Sequence, residues 1–154
     1  MIVFYRKAKC WCYVNIVRLL GLTELYQPTY NKENYLILKP DSIKRGSEDR
    51  VLAIQNSIDS SKLDTYLDIG SQLGYFVLRL SELNGFTTAK GFEINKISCA
   101  YANALVCLNN VENVSFVNCT VTPSLIRKAP YYDMISFLNV FHHIVHFDGF
   151  DVAD

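Results

Sequence analysis

Two glycines and two acids near the middle of the chain have the types and spacing that could do chemistry. Gly70 and Gly74 bracket Ser71-Gln72-Leu73 directly after the apolar run Thr65-Tyr66-Leu67-Asp68-Ile69. Glycine permits the tight turn and close backbone approach that a ligand needs, and the N–H groups of a following helix attract negative charge. The spacing is G-x-x-x-G and lacks the middle glycine of the dinucleotide-binding G-x-G-x-x-G, so a pyrophosphate pressed onto the backbone is a poorer fit. Roughly twenty residues past the loop, Glu93 closes a second run, where a carboxylate can accept hydrogen bonds from both hydroxyls of a ribose. A third run, Tyr132-Asp133-Met134-Ile135-Ser136-Phe137-Leu138-Asn139, ends in a polar side chain at the point where reacting groups should lie.

The elements that must position these residues alternate regularly. After Ser47, read as an N-cap with Glu48 and Asp49 in the first turn, Val51, Ile54 and Ile58 repeat at helical spacing and predict a helix near 48–58. Thr65 to Ile69 reads as a short buried strand. Tyr75 to Leu83 reads as a helix burying Phe76, Leu80 and Leu83. A second strand is expected over Thr87 to Glu93. Next comes a helix from Lys96 to Asn109 that buries Ile97, Tyr101, Ala104, Leu105 and Leu108. Val114 to Val117 and Asp133 to Leu138 are the third and fourth strands, and Val140 to Phe147 could open a further helix. Apolar strands without alternation, interleaved with helices, predict an α/β fold with a Rossmann-like, mostly parallel sheet and flanking helices. Ligands in such sheets bind at the carboxyl ends of the strands. Residues 1–46 form an N-terminal lead-in, rich in Pro, Asn, Tyr and Lys from Tyr26 to Gly46, and 47–154 form the ligand-binding domain.

Asp68-Ile69-Gly70-Ser71-Gln72-Leu73-Gly74-Tyr75-Phe76, Gly91-Phe92-Glu93 and Tyr132-Asp133-Met134-Ile135 together resemble, in order and spacing, the class I S-adenosylmethionine (SAM)-dependent methyltransferases. The likeness runs from Leu63 to His143. It implies that Asp68 helps position the methionine part of SAM, and that Gly70, Ser71, Gln72 and Gly74, with Tyr75 and Phe76 behind them, wrap it. It also implies that Glu93 holds the ribose hydroxyls, Ile94 packs on the adenine, Cys119 and Thr120 lie at the adenine edge, and Asn139 lies beside the transferring methyl. Family members commonly have Gly or Cys where Ser71 stands, a further glycine at Gln72 and an acid at Thr120. Phe141-His142-His143-Ile144-Val145-His146, preceded by Leu138-Asn139-Val140, resembles more narrowly the methyltransferase part of bacterial polysaccharide chain-terminating enzymes. Tyr26-Gln27-Pro28 and an arginine before the helix, Arg45 or Arg50, match the same group.

On that resemblance the expected activity is methyl transfer from SAM to an oxygen or phosphate of a small-molecule or glycan-like acceptor. His142 is the candidate catalytic residue, because His titrates near neutrality and a hydroxyl acceptor loses a proton on transfer. His142 and His146 share a helix face with Asp148 nearby, but no Glu lies between them and the chain has only three histidines, so no metal site is expected. Leu138-Asn139-Val140-Phe141 lacks the prolines of the Asn-Pro-Pro-aromatic signature of nucleic-acid amino-methylating enzymes. A non-catalytic methyltransferase-like module is the competing reading, carried by Ser71, Gln72 and Thr120. An NAD-dependent oxidoreductase is disfavoured by the loop spacing.

The bulk numbers agree with one globular domain. The chain has 154 residues, half of them apolar and 19% charged. Fifteen basic residues balance fifteen acidic ones, which gives no electrostatic reason to expect a nucleic-acid partner. The one local imbalance is a basic patch at Arg6, Lys7 and Lys9. Basic residues also interrupt the apolar stretch of Met1 to Leu20, so neither a membrane span nor a signal peptide is expected, and the cytoplasm is the expected location. Five cysteines at spacings that match no zinc or redox template read as small hydrophobes in a reducing compartment. The family's sheet normally continues beyond a fourth strand. The expectation is therefore a piece of a longer product, or a short domain whose last strand edge needs cover.

Overall fold

A computed structural model describes residues 2–23, 27–32 and 46–138. Its centre is a four-stranded sheet of β1 (Thr65–Ile69), β2 (Thr88–Glu93), β3 (Val114–Asn118) and β4 (Met134–Ser136), in the order β3-β2-β1-β4 with every pairing parallel. Between the strands run α3 (Tyr75–Asn84), α4 (Lys96–Leu108) and α5 (Pro123–Lys128), and ahead of them lie α1 (Ile2–Leu19) and α2 (Ser47–Ser57). This is the Rossmann-like parallel sheet with flanking helices that the sequence predicts. The order reverses between β1 and β4, so the crevice at their carboxyl ends is where such a sheet takes its ligand.

Period-two geometry divides β1 between two cores. Tyr66 turns to a large cluster with Val14, Val17, Val51, Phe76, Leu80, Tyr101 and Leu105. Leu67 and Ile69 turn to a smaller cluster with Phe92 and Tyr132, backed by Leu125. Each large apolar side chain buried this way stabilises the fold by about 1.5–3 kcal/mol. Asp133, just before β4, ties the start of that strand to the start of β1: its Oδ2 accepts from the Asp64 and Thr65 amides at 3.1 and 2.9 Å and from Thr65 Oγ1 at 2.8 Å.

Several local expectations change. The cap of α2 is Gly46, in the left-handed conformation at φ 58°, and Ser47 is the buried first residue of the helix rather than its cap. Leu83 and Ile97, expected in the core, are more than a third exposed, because each lies in an end turn of its helix. Two helices were not expected. In α1, Val14 and Val17 pack fully buried against α4, and the Thr23 and Ser98 hydroxyls meet at 2.8 Å. In α5, Thr122 caps by accepting from the Leu125 amide, and Pro123 takes the first helical position. The predicted helix over Val140 to Phe147 lies outside the described residues.

No helix among the described residues is long and apolar enough to cross a membrane. The five cysteines are free thiols, with Cys99 buried and Cys12 exposed.

Candidate cofactor-binding site

The loop after β1 is drawn tightly over the end of β2. The Gly70 and Ser71 amides both donate to the Phe92 carbonyl, at 2.8 and 3.1 Å, and the Gly74 amide donates to the Ser71 carbonyl at 2.8 Å. Gly70 and Gly74 sit at φ 77° and 79°, in the left-handed region that favours glycine. Gly74 is required for a second reason, since a Cβ there would lie 2.3 Å from Phe116 Cζ. Gly91 on β2 faces the same ring, and a Cβ on it would lie 2.4 Å from Phe116 Cδ1 and 2.5 Å from Ser71 Oγ. The loop, β2 and β3 are thus fitted around one phenylalanine.

The two departures from the family pattern that lie within the loop have structural correlates. Gln72 occupies φ 49°, a conformation that suits the glycine common at this position. The Ser71 side chain is fully buried, and its Oγ has no hydrogen-bond partner among the described residues.

Glu93 organises the loop from the end of β2. Its Oε2 accepts from the Gln72 amide at 2.7 Å, and its Oε1 accepts from the Asn95 amide at 2.7 Å. Each carboxylate oxygen has two lone pairs, so both remain able to accept from a ligand. Asn95 caps α4 by accepting from the Ile97 and Ser98 amides. Asn118, at the end of β3, donates to the Glu93 and Ile94 carbonyls at 2.8 Å each and locks the turn that carries the acid. The next side chain, Ile94, is 69% exposed.

Asp68 is buried on β1 and accepts from Ser136 Oγ on β4 at 2.5 Å. The Tyr66 hydroxyl lies 2.7 Å from the same Oγ. With the Ser136 proton committed to Asp68, Tyr66 is the donor. Burial pushes the Asp68 carboxyl from its ordinary 3.8 up to about 7, with the Ser136 bond opposing the rise and the Glu93 charge adding to it. No ion pair found among the described residues involves Asp68 or Glu93, so the crevice holds two acids without a paired base.

The other predicted residues are spread around this centre. Cys119 is half-buried at the end of β3, its amide donating to the Glu93 carbonyl at 3.1 Å, and Thr120 beside it is exposed. The Tyr75 hydroxyl donates to Glu48 Oε2, and Arg79 Nη2 holds Glu48 Oε1 at 2.9 Å, clamping α2 to α3. The Arg79 guanidinium holds the Glu48 carboxyl below its ordinary value. Phe76 points into the core with the Arg50 guanidinium 5.3 Å over its ring. Asn139 and His142 lie outside the described residues. Among the described residues no group of His, Cys, Asp or Glu is arranged to hold a metal.

Ser136, Tyr66, Asn95 and Asn118 were missed by sequence reasoning. Asn95 had a local signal, an Asn directly before a helical run. The others act through parallel register, where Asp68 pairs with Ser136 and Glu93 with Asn118.

No family model matches the chain, and no curated protein does. Solved structures do. A crystal structure of WbdD shares 25% identity with a TM-score of 0.73, over 90% of this chain and 31% of that one. A second, described as the bifunctional kinase-methyltransferase WbdD, shares 24% identity with a TM-score of 0.71, over 86% and 29%. The chain therefore spans under a third of the WbdD chains it matches. The fold is that of a class I methyltransferase.

Proposed function

We propose that this chain binds SAM at the carboxyl ends of β1 and β2 and directs its methyl group to an oxygen or phosphate of a small-molecule or glycan-like acceptor. The observation that carries the reading is Glu93. Its buried carboxylate already grips the glycine loop through the Gln72 amide, keeps lone pairs for two ribose hydroxyls, and stands next to an exposed apolar Ile94 suited to an adenine face. Two acids at the ends of β1 and β2 also suit a ligand that carries sulfonium and ammonium charges. The residues present thus fit the cofactor. When bound, SAM supplies an electrophilic methyl on sulfur. This chain's residues supply placement. The Gly70 to Gly74 loop, its amides turned to Phe92, Glu93 and Ser71, lets the cofactor approach the backbone closely. Glu93 fixes the ribose, Ile94 covers the adenine, and Cys119 and Thr120 border it. Asp68 stands towards the methionine end, the end to which the resemblance also assigns Asn139. Alignment of nucleophile, methyl and sulfur can supply most of the rate if the acceptor is anionic. For a hydroxyl acceptor, His142 is the proposed base. The acceptor class follows the resemblance of Leu138 to His146 to the chain-terminating enzymes. No nucleic-acid acceptor is proposed.

Isothermal titration with SAM tests the reading. Saturable binding is expected, reduced at least tenfold by Glu93→Ala and by Gly70→Val; a folded protein that takes up no SAM would refute it. A second reading, a methyltransferase-like module without turnover, is favoured by the left-handed Gln72 and the unpartnered Ser71 hydroxyl. Transfer of a labelled methyl group to any acceptor rejects it.

A further inference from the structure

The basic patch at Arg6, Lys7 and Lys9 has no part in the SAM site, and the structure puts it on α1 beside an apolar surface. At 100° per residue, Trp11, Phe4, Leu19, Tyr5 and Ile16 fall within an arc of about 140°. All five are exposed, Phe4 at 81%, while Asn15, which falls between them in the arc, is buried. Val14 and Val17, which hold α1 on α4, point the opposite way. Lys9 borders the apolar arc on one side, with Arg6 a further turn of about 60° round towards Val17, and Lys7 lies beyond the other side. No acid occurs in the helix. The Lys9 ammonium lies 4.4 Å over the Tyr5 ring, so charge and aromatic surface are joined at that border.

We infer that the outer face of α1 docks in the plane of an anionic lipid surface. An apolar face rich in aromatics and edged by cations seats its rings at the headgroup boundary while the cations meet lipid phosphate. Spanning is excluded by the helix's own composition, which is too polar to cross a bilayer. A second copy of the chain is a poorer occupant. Pairing α1 with α1 would set cations beside the apolar face with no acid in either helix to answer them. The chemistry that complements both halves of the face is a surface that is negative outside and apolar beneath.

The test uses the chain's single tryptophan, Trp11, as its own reporter. The intact protein is titrated with vesicles of phosphatidylcholine alone and of phosphatidylglycerol mixed with phosphatidylcholine, following tryptophan emission and co-sedimentation. Emission should shift to the blue, and protein should pellet, with the anionic vesicles and much less with the neutral ones. High salt should weaken the effect. Arg6→Glu and Lys9→Glu should each weaken partitioning at least fivefold. Phe4→Ser should weaken it as well, while SAM binding stays at the wild-type level in all three variants. Equal partitioning to neutral vesicles, or no blue shift with anionic ones, overturns the inference. A blue shift that tracks protein concentration without vesicles, with a dimer in sedimentation velocity, also overturns it and assigns the face to a second copy.

Discussion

The Ser136 hydroxyl on β4 lies 2.5 Å from Asp68 Oδ1 on the neighbouring strand β1, inside the sheet's buried face. This bond is the support given to an acid that burial disfavours. Asp68 ionises near 3.8 when unfolded and near 7 when folded, so the folded state binds the proton more tightly. The acid's contribution to stability is therefore fully present below about pH 4 and is lost as pH rises through 7. Thermal melts should show this loss between those limits. Asp68→Asn should remove that part of the pH dependence. Ser136→Ala removes the donor that favours the charged form, so it should extend the loss to higher pH and lower the midpoint at neutrality. A wild-type midpoint that rises across this window after the other acids are accounted for, or an unchanged profile in Asp68→Asn, would contradict the assignment.

Ile94 separates the proposed cofactor contact from folding. It is mostly exposed, so Ile94→Ser should leave unfolding free energy within about 0.5 kcal/mol of wild type. If the side chain covers the adenine, losing that apolar contact should cost about 1 kcal/mol of SAM binding, a factor of about five in Kd. Titration calorimetry beside urea unfolding checks both halves. An unchanged Kd would move the adenine elsewhere.

How much of this was legible in the sequence differs from element to element, for physical reasons. The strand Thr65–Ile69 and the helix from Lys96 had continuous apolar or strongly periodic runs between polar breaks, and the structure places them there. The glycine loop and Glu93 were readable because turn chemistry is local and the acid follows at a set distance. The helix α1 was not read, because its apolar residues lie on both the packed and the outer face and blur the 3.6 period. Ser136 and Asn118 had no local signal. Each matters only because parallel register brings it beside an acid far away in sequence.

Gly91 and Phe116 should be coupled. A Cβ at Gly91 would meet the Phe116 ring at 2.4 Å, so Gly91→Ala should destabilise by about 1–3 kcal/mol. Phe116→Ala removes the ring and leaves the Ser71 hydroxyl as the remaining close neighbour of the methyl. The double variant should therefore be less destabilised than the sum of the two single ones, by 0.5 kcal/mol or more on the order of measured couplings. Strict additivity in chemical denaturation would show that the ring is not what limits residue 91.

Gln72 offers a substitution expected to stabilise the fold. A non-glycine residue in the left-handed region costs about 1–2 kcal/mol, and Gln72 stands there at φ 49°. Gln72→Gly removes that strain but adds freedom to the unfolded chain worth roughly 0.5–1 kcal/mol. A net gain of about 0.5–1 kcal/mol follows, readable as a higher urea midpoint. The bond to Glu93 is made by the backbone amide, so SAM affinity should stay within about twofold of wild type. Gln72→Pro deletes that N–H and leaves a buried carboxylate oxygen short of a donor, so it should lose both stability and SAM binding. Equal effects of Gly and Pro would show that the Glu93 bond to residue 72 does not hold the loop.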